Sequence, residues 1–226
     1  MHNRKHLLII LMLVAVSFAG LPWNPSQVNH YTNATSLNGA RSVTTSGSYL
    51  YVASSTGTSL TTFNITNPAT PIQTAYYTND TSLNAPSSAT ASGNYLYVAG
   101  YMGKSLTTFN ITNPATPVQT TYYANATSLN GSFSVTASGN YLYVASYYGK
   151  SLTTFNITNP ATPVEVAYYA NATSLNVPYS VTTSGNYLYV ASTIGNSLTT
   201  FNITNPATPV QIAYYTNATS LNAPRS

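Results

Sequence analysis

The residues able to do acid–base or metal chemistry are few, and they are scattered. Asp80 and Glu165 are the only carboxylates in 226 residues, cysteine is absent, and the histidines are His2, His6 and His30. Hydrolysis by general acid and base needs paired carboxylates or an imidazole beside its partner, and metal sites need clusters of hard or soft ligands. No such cluster can be drawn from these residues, so no catalytic residue, metal site or cofactor is expected. Asparagine is plentiful instead. The pattern Asn-x-Ser/Thr, which accepts an N-linked glycan in an exported chain, occurs at Asn33, Asn125, Asn171 and Asn217 within Asn-Ala-Thr. It occurs again at Asn64, Asn110, Asn156 and Asn202 within Asn-Ile-Thr, at Asn79 within Asn-Asp-Thr, and at Asn130 within Asn-Gly-Ser.

These sites recur because the chain does. Ser-Leu-Thr-Thr-Phe-Asn-Ile-Thr-Asn-Pro-Ala-Thr-Pro appears four times, with its phenylalanine at Phe63, Phe109, Phe155 and Phe201, a gapless period of 46 residues. A period of this length marks one supersecondary unit copied and stacked. Within a copy, Gly139-Asn140, Gly149 and Asn159-Pro160 with Pro163 are turn signals. They leave β-rich runs at 134–138, 141–146, 151–157 and 164–169, rich in Thr, Val, Tyr and Ile and without a helical period. In the second run Tyr141, Tyr143 and Ala145 alternate with Leu142 and Val144, so both faces of the sheet are apolar and each needs a neighbour. Four short strands per repeat predict an all-β fold, a β-propeller of four-stranded antiparallel blades, either complete or a fragment of a larger ring. A β-solenoid normally has shorter coils.

Tyr-Leu-Tyr-Val-Ala-Ser, a Gly-containing turn, and Ser-Leu-Thr-Thr-Phe-Asn-Ile-Thr-Asn-Pro-Ala-Thr-Pro-Val resemble the LVIVD repeat of bacterial and archaeal surface proteins in all four copies. The resemblance implies an extracellular β-propeller and no common activity. Where the family carries two aspartates, this chain has Ser54, Gly100, Ser146 and Ser192 at the first and Asn64, Asn110, Asn156 and Asn202 at the second. The Asn-Ile-Thr asparagines therefore hold a turn-capping position, which leaves the Asn-Ala-Thr set, just after the fourth strand, as the better candidate for glycans.

The N-terminus carries Arg4 and Lys5, an apolar run from Leu7 to Val16, and Ser17-Phe18-Ala19 before Gly20. This is the layout of a secretory signal, too short to span a bilayer comfortably. Residues 1–19 are thus expected to be removed, residues 20–33 to form a segment carrying an extra outer strand, and 34–226 to form the propeller. No integral membrane segment is expected in the exported product. Without Arg4 and Lys5 the formal charge falls from +4 to +2, too dilute for a nucleic-acid partner. With charged residues at only 4% of the chain, glycans would account for its solubility.

Copies differ chiefly in two connections, which leave a blade on the same side. These place Arg41, Tyr101, Lys104, Phe133, Tyr147, Tyr148, Lys150 and Tyr179 on one face, where aromatic rings with a few bases suit carbohydrate or protein. Unconstrained drift in loops would also make these connections differ. A secreted, non-enzymatic binding or scaffolding module is the expected function. The alternative is a structural glycoprotein subunit that self-associates into an array or filament. Because the first and last copies are as apolar as the middle ones, the four blades are expected to close on themselves, with residues 26–33 added to a blade edge or donated to a neighbour.

Overall fold

The computed structural model describes residues 30–225, so the signal segment and most of the stretch 20–33 lie outside the described residues. Sixteen strands form four antiparallel sheets. The first contains β1 (Ala40–Ser46), β2 (Tyr49–Ser54), β3 (Ser59–Asn64) and β4 (Ile72–Thr78). The second contains β5 (Pro86–Ser92), β6 (Tyr95–Gly100), β7 (Ser105–Asn110) and β8 (Val118–Ala124). The third runs through β9 (Ser132–Ser138), β10 (Tyr141–Ser146), β11 (Ser151–Asn156) and β12 (Val164–Ala170). The last comprises β13 (Pro178–Ser184), β14 (Tyr187–Ser192), β15 (Ser197–Asn202) and β16 (Val210–Thr216). Strands pair in chain order in every sheet, the up-and-down topology of a propeller blade.

Local chemistry sets the hairpins. Ser46 pairs with Tyr49, leaving a two-residue loop whose first member, Gly47, sits at φ 54. Glycine at the first central position with φ above zero is the type II′ requirement, and its twist matches the strands it joins. Gly93, Gly139 and Gly185 repeat it.

Alternation along β2 sends Tyr51 and Ala53 toward the next blade, while Leu96, Val98, Phe109 and Ile111 of the second blade face back. Tyr97 and Leu142, then Tyr143 and Leu188, occupy the matching places in the next two interfaces. The first strands β1, β5, β9 and β13 pack side by side and form the inner edge of the stack.

A polar seam accompanies each apolar interface. Tyr77 Oη and Ser82 Oγ both donate to Gln119 Oε1, at 2.8 and 2.7 Å, and Tyr169 and Ser174 do the same to Gln211. At the middle interface the acceptor is Glu165, whose Oε2 takes Tyr123 Oη and Ser128 Oγ at 2.7 Å each. This carboxylate is an interblade acceptor. Glu165→Gln, the residue at the matching position of the other blades, should leave the thermal midpoint nearly unchanged. Glu165→Ala strands two part-buried hydroxyls and should cost about 1–3 kcal/mol in urea denaturation.

One expectation needs correcting, and another falls largely outside the described residues. Of residues 26–33, expected to add to a blade edge or to be donated to a neighbour, only 30–33 are described, and these lie in no strand. Tyr31 packs edge-on to Phe63 at 5.0 Å, and Tyr31 Oη and Ser36 Oγ both donate to Gln73 at 2.9 Å. Residues 31–37 thus lie on the first blade as 77–83 lie on the second: they copy an interblade connection, because they match its sequence. The expected closure fails: the blades do not bury a fourth interface. Leu60, Leu106 and Leu152 are each 1% exposed, whereas Leu198 in the same position is 37% exposed. At the other end Val43 is 49% exposed, against 8%, 5% and 6% for Ala89, Val135 and Val181. Equal apolarity of end and middle copies does not specify closure, since closure depends on the rotation between blades, which local sequence does not encode.

Candidate functional site

Two parts of each blade build one face: the turn joining its second and third strands, and the opening residues of its first strand. Tyr101, Phe133, Tyr147, Tyr148 and Tyr179 come together there. Tyr101 lies 5.7 Å from Phe133, 6.0 Å from Tyr147 and 5.5 Å from Tyr148 between ring centroids. Phe133 stacks on Tyr179 at 4.1 Å with the planes tilted by 42°, and Tyr147 meets Tyr148 edge-on at 5.0 Å. Arg41 places its guanidinium 5.7 Å from the Phe133 centroid, inside the cation–π range. Arg225 does the same over Tyr179, also at 5.7 Å. The result is a row, Arg41–Phe133–Tyr179–Arg225, beside a cluster of three phenols.

Arg225 is the member that the sequence reading missed. The period exposes it: Arg41, Ser87, Phe133, Tyr179 and Arg225 are successive occupants of one position. Lys104 and Lys150 stand at the ends of the same turns. Each closes its turn with a left-handed backbone, φ 49 and 48, and its carbonyl accepts the N–H of Asn125 or Asn171 at 3.0 and 3.1 Å. Met102 and Ile194, 66% and 63% exposed, extend the face with apolar surface.

Only Tyr148 of the four tyrosines is strongly exposed; Tyr101, Tyr147 and Tyr179 are half-buried. Partial burial and, after it, the Tyr148 phenol push Tyr101 up to about 12, so this phenol is neutral at physiological pH. Gly131 makes the seat for Tyr148: its φ is 72, and a Cβ there would lie 2.9 Å from Tyr148 Cδ2 and 3.1 Å from its backbone nitrogen.

Both sets of acceptor asparagines turn out to cap. Asn64, Asn110, Asn156 and Asn202 accept the N–H two residues on through Oδ1, at 2.7 to 2.8 Å. Asn33, Asn79, Asn125, Asn171 and Asn217 accept two successive N–H groups. In the last four of these, Nδ2 also donates to a tyrosine hydroxyl two residues earlier, at 3.0 to 3.5 Å. Turn capping therefore accounts for Asn in the Asn-Ala-Thr positions as fully as in the Asn-Ile-Thr positions. Asn130, in the connection into β9, gives its carbonyl to Gly149 N–H at 2.8 Å.

On the opposite face a shallow cavity of about 300 Å³ opens between the second and third blades, lined by Asn94, Tyr95, Asn140, Ile157 and Pro160 among others. These residues are the same in both copies, so blade packing alone explains it. Among the described residues no group of three or more His, Cys, Asp or Glu lies together, and no helix is long and apolar enough to cross a membrane.

Four repeated sheets stacked through these interfaces define a β-propeller-type protein. The LVIVD repeat model matches residues 39–79, 87–124, 132–171 and 179–217, and the chain belongs to that family. Solved structures of similar fold include the periplasmic gluconolactonase of Pseudomonas aeruginosa, at 16% identity and a TM-score of 0.69, covering 83% of this chain and 55% of that one. Virginiamycin B lyase of Staphylococcus aureus is similar at 13% identity and a TM-score of 0.65, covering 85% of this chain and 60% of that one. The chain thus spans little more than half the length of these propellers, and identities this low speak to fold alone. No curated protein sequence matches.

Proposed function

We propose that this LVIVD-repeat protein is a non-enzymatic binding module of the cell exterior that holds acidic carbohydrate on its aromatic loop face. The observation that carries this reading is the row Arg41–Phe133–Tyr179–Arg225. Flat aromatic surface suits the apolar face of a sugar ring, and tyrosine adds hydroxyls at its edge. A guanidinium at each end pairs with a carboxylate or sulfate through two parallel hydrogen bonds, which a lysine ammonium cannot match. The N-terminal signal pattern supports an exported product. The scarcity and scatter of acids and imidazoles support binding without turnover.

The reading is tested with immobilised polyuronate and a neutral glucan. Wild type should bind the polyuronate in preference, and Arg41→Ala/Arg225→Ala should lose at least about tenfold in affinity, with a similar thermal midpoint. Tyr148→Ser, at the most exposed ring, should weaken binding without unfolding the chain. Equal binding to both glycans by wild type and the double variant would refute it. The half-buried tyrosines are poorer probes, since ring pairs of this kind each contribute about 0.5–1.5 kcal/mol to packing.

A further inference from the structure

We infer that the outward face of the last blade docks on the first blade of a second copy of this chain, repeating between molecules the interface found three times within one. Both halves of that interface are present in one chain. The face that blades present forward is buried at Tyr51, Tyr97 and Tyr143, each 0% exposed, and at the leucines of their third strands. On the last blade the same face leaves Tyr187, Leu198 and Tyr215 exposed at 43%, 37% and 54%. The connection that follows is bare as well: Leu83, Leu129 and Leu175 are fully buried, whereas Leu221 is only half-buried and Ser220 is exposed.

The receiving face is that of β1–β3, and it holds a placeholder. Residues 31–38 and 215–222 have the same sequence, Tyr-Thr-Asn-Ala-Thr-Ser-Leu-Asn. Tyr31 and Ser36 already satisfy Gln73, and Leu37 packs against Leu50, Val52 and Phe63. An incoming Tyr215, Ser220 and Leu221 can take over those contacts one for one. The exchange of segments is nearly neutral, and the gain comes from burying what the placeholder leaves open, Val43 on one copy and Leu198 with Tyr187 on the other.

Polar complementarity follows the same arithmetic. Within the chain Ala89, Val135 and Val181 donate their N–H to Ser42, Ser88 and Ser134 of the preceding blade, at 2.9, 3.2 and 3.2 Å. Tyr51, Tyr97 and Tyr143 donate to the carbonyls of Pro114, Pro160 and Pro206. Continuing both series across the junction pairs Val43 N–H with Ser180 Oγ, and Tyr189 Oη with the Pro68 carbonyl. Such a contact is head-to-tail, so it closes into a ring where the blade rotation permits and otherwise extends as a chain.

The test is light scattering of the full chain across about 1 to 100 μM. Wild type should show a mass of two or more copies that falls on dilution. Leu198→Arg should shift the association midpoint upward by at least about tenfold, with an unchanged thermal midpoint. Leu221→Asp lies outside every strand and should give the same shift without touching a sheet. Tyr31→Ala/Leu37→Ala removes the competing placeholder and should lower the midpoint instead, whereas a merely structural role would lower stability and leave association unmoved. A single-copy mass for both wild type and the placeholder variant, or unaltered assembly in Leu198→Arg and Leu221→Asp, would overturn the inference. Tyr148→Ser, in a turn of the third blade away from this junction, should assemble normally while losing glycan affinity, which separates this result from that of the carbohydrate reading.

Discussion

Phe109→Ala, Phe155→Ala and Phe201→Ala should each cost about 3–5 kcal/mol, the usual loss for truncating a buried phenylalanine that neighbours cannot collapse onto. All three rings are 0% exposed. Each is met edge-on by a tyrosine of the preceding blade, Tyr77, Tyr123 or Tyr169, with centroids 5.2 or 5.3 Å away. Phe63→Ala should cost less. Its ring faces backward, where Tyr31 is the edge-on partner and Leu37 and Ala40 supply part of the cover that a preceding blade would give. Urea midpoints of the four variants check this, and Phe201 is the informative member. Although it lies in the last copy, its face is turned toward the third blade, so its cost should match the middle pair. A cost at Phe201 as small as that at Phe63 would mean that the last blade is not docked on the third.

The second large effect is alkaline unfolding. Tyr51, Tyr97 and Tyr143 are sealed between blades, and burial is the main cause that pushes Tyr51 and Tyr143 up to about 12 and Tyr97 higher still. Their hydroxyls donate to proline carbonyls at 3.1 to 3.2 Å, a bond that a phenolate cannot make. The sign follows from linkage. In the unfolded chain these phenols lose their protons near pH 10, while in the folded state they hold them to about 12 or beyond, so the folded state binds more protons in that window. Their contribution is complete below pH 10 and is lost as pH rises toward 12. Stability measured by urea titration should therefore fall steeply between those values. Replacing all three by Phe should flatten that slope while lowering stability at pH 8, where three proline carbonyls lose their donors. A slope unchanged in the triple variant would place the alkaline transition elsewhere.

Strand positions were legible because hairpin chemistry is local. Gly139 with Asn140 sets a two-residue turn wherever it falls between β-rich runs, and the period then copies that decision through the chain. The observed strands differ from the runs read in 134–169 by at most two residues at an end. What depends on rotation between blades was not legible. Tyr187-Leu188-Tyr189-Val190 is spelled as Tyr141-Leu142-Tyr143-Val144, yet Tyr187 is exposed where Tyr141 is half-buried, and Tyr189 is half-buried where Tyr143 is buried. Residues 31–37 were likewise readable as a copy of 215–221, but a copied strand end and a copied interblade connection share one sequence. Of the aromatic face, proximity of Tyr101, Phe133, Tyr147, Tyr148 and Tyr179 followed from loop variability once the topology was granted. That Lys104 and Lys150 are turn corners was not legible, because a left-handed corner looks like any other loop residue in sequence. Arg225 needed one further step of the period past Tyr179.

The most direct measurement is a titration of the chain with an oligouronate, followed through the side-chain Nε–Hε resonances of Arg41 and Arg225 and the rings of Phe133 and Tyr179. Saturable shifts should appear in these four residues and in Tyr148, with little change at the hairpin turns around Gly93 and Gly139 on the opposite face. Shifts confined to those turns, or none at any residue of the Arg41–Phe133–Tyr179–Arg225 row, would contradict a ligand surface on the loop face.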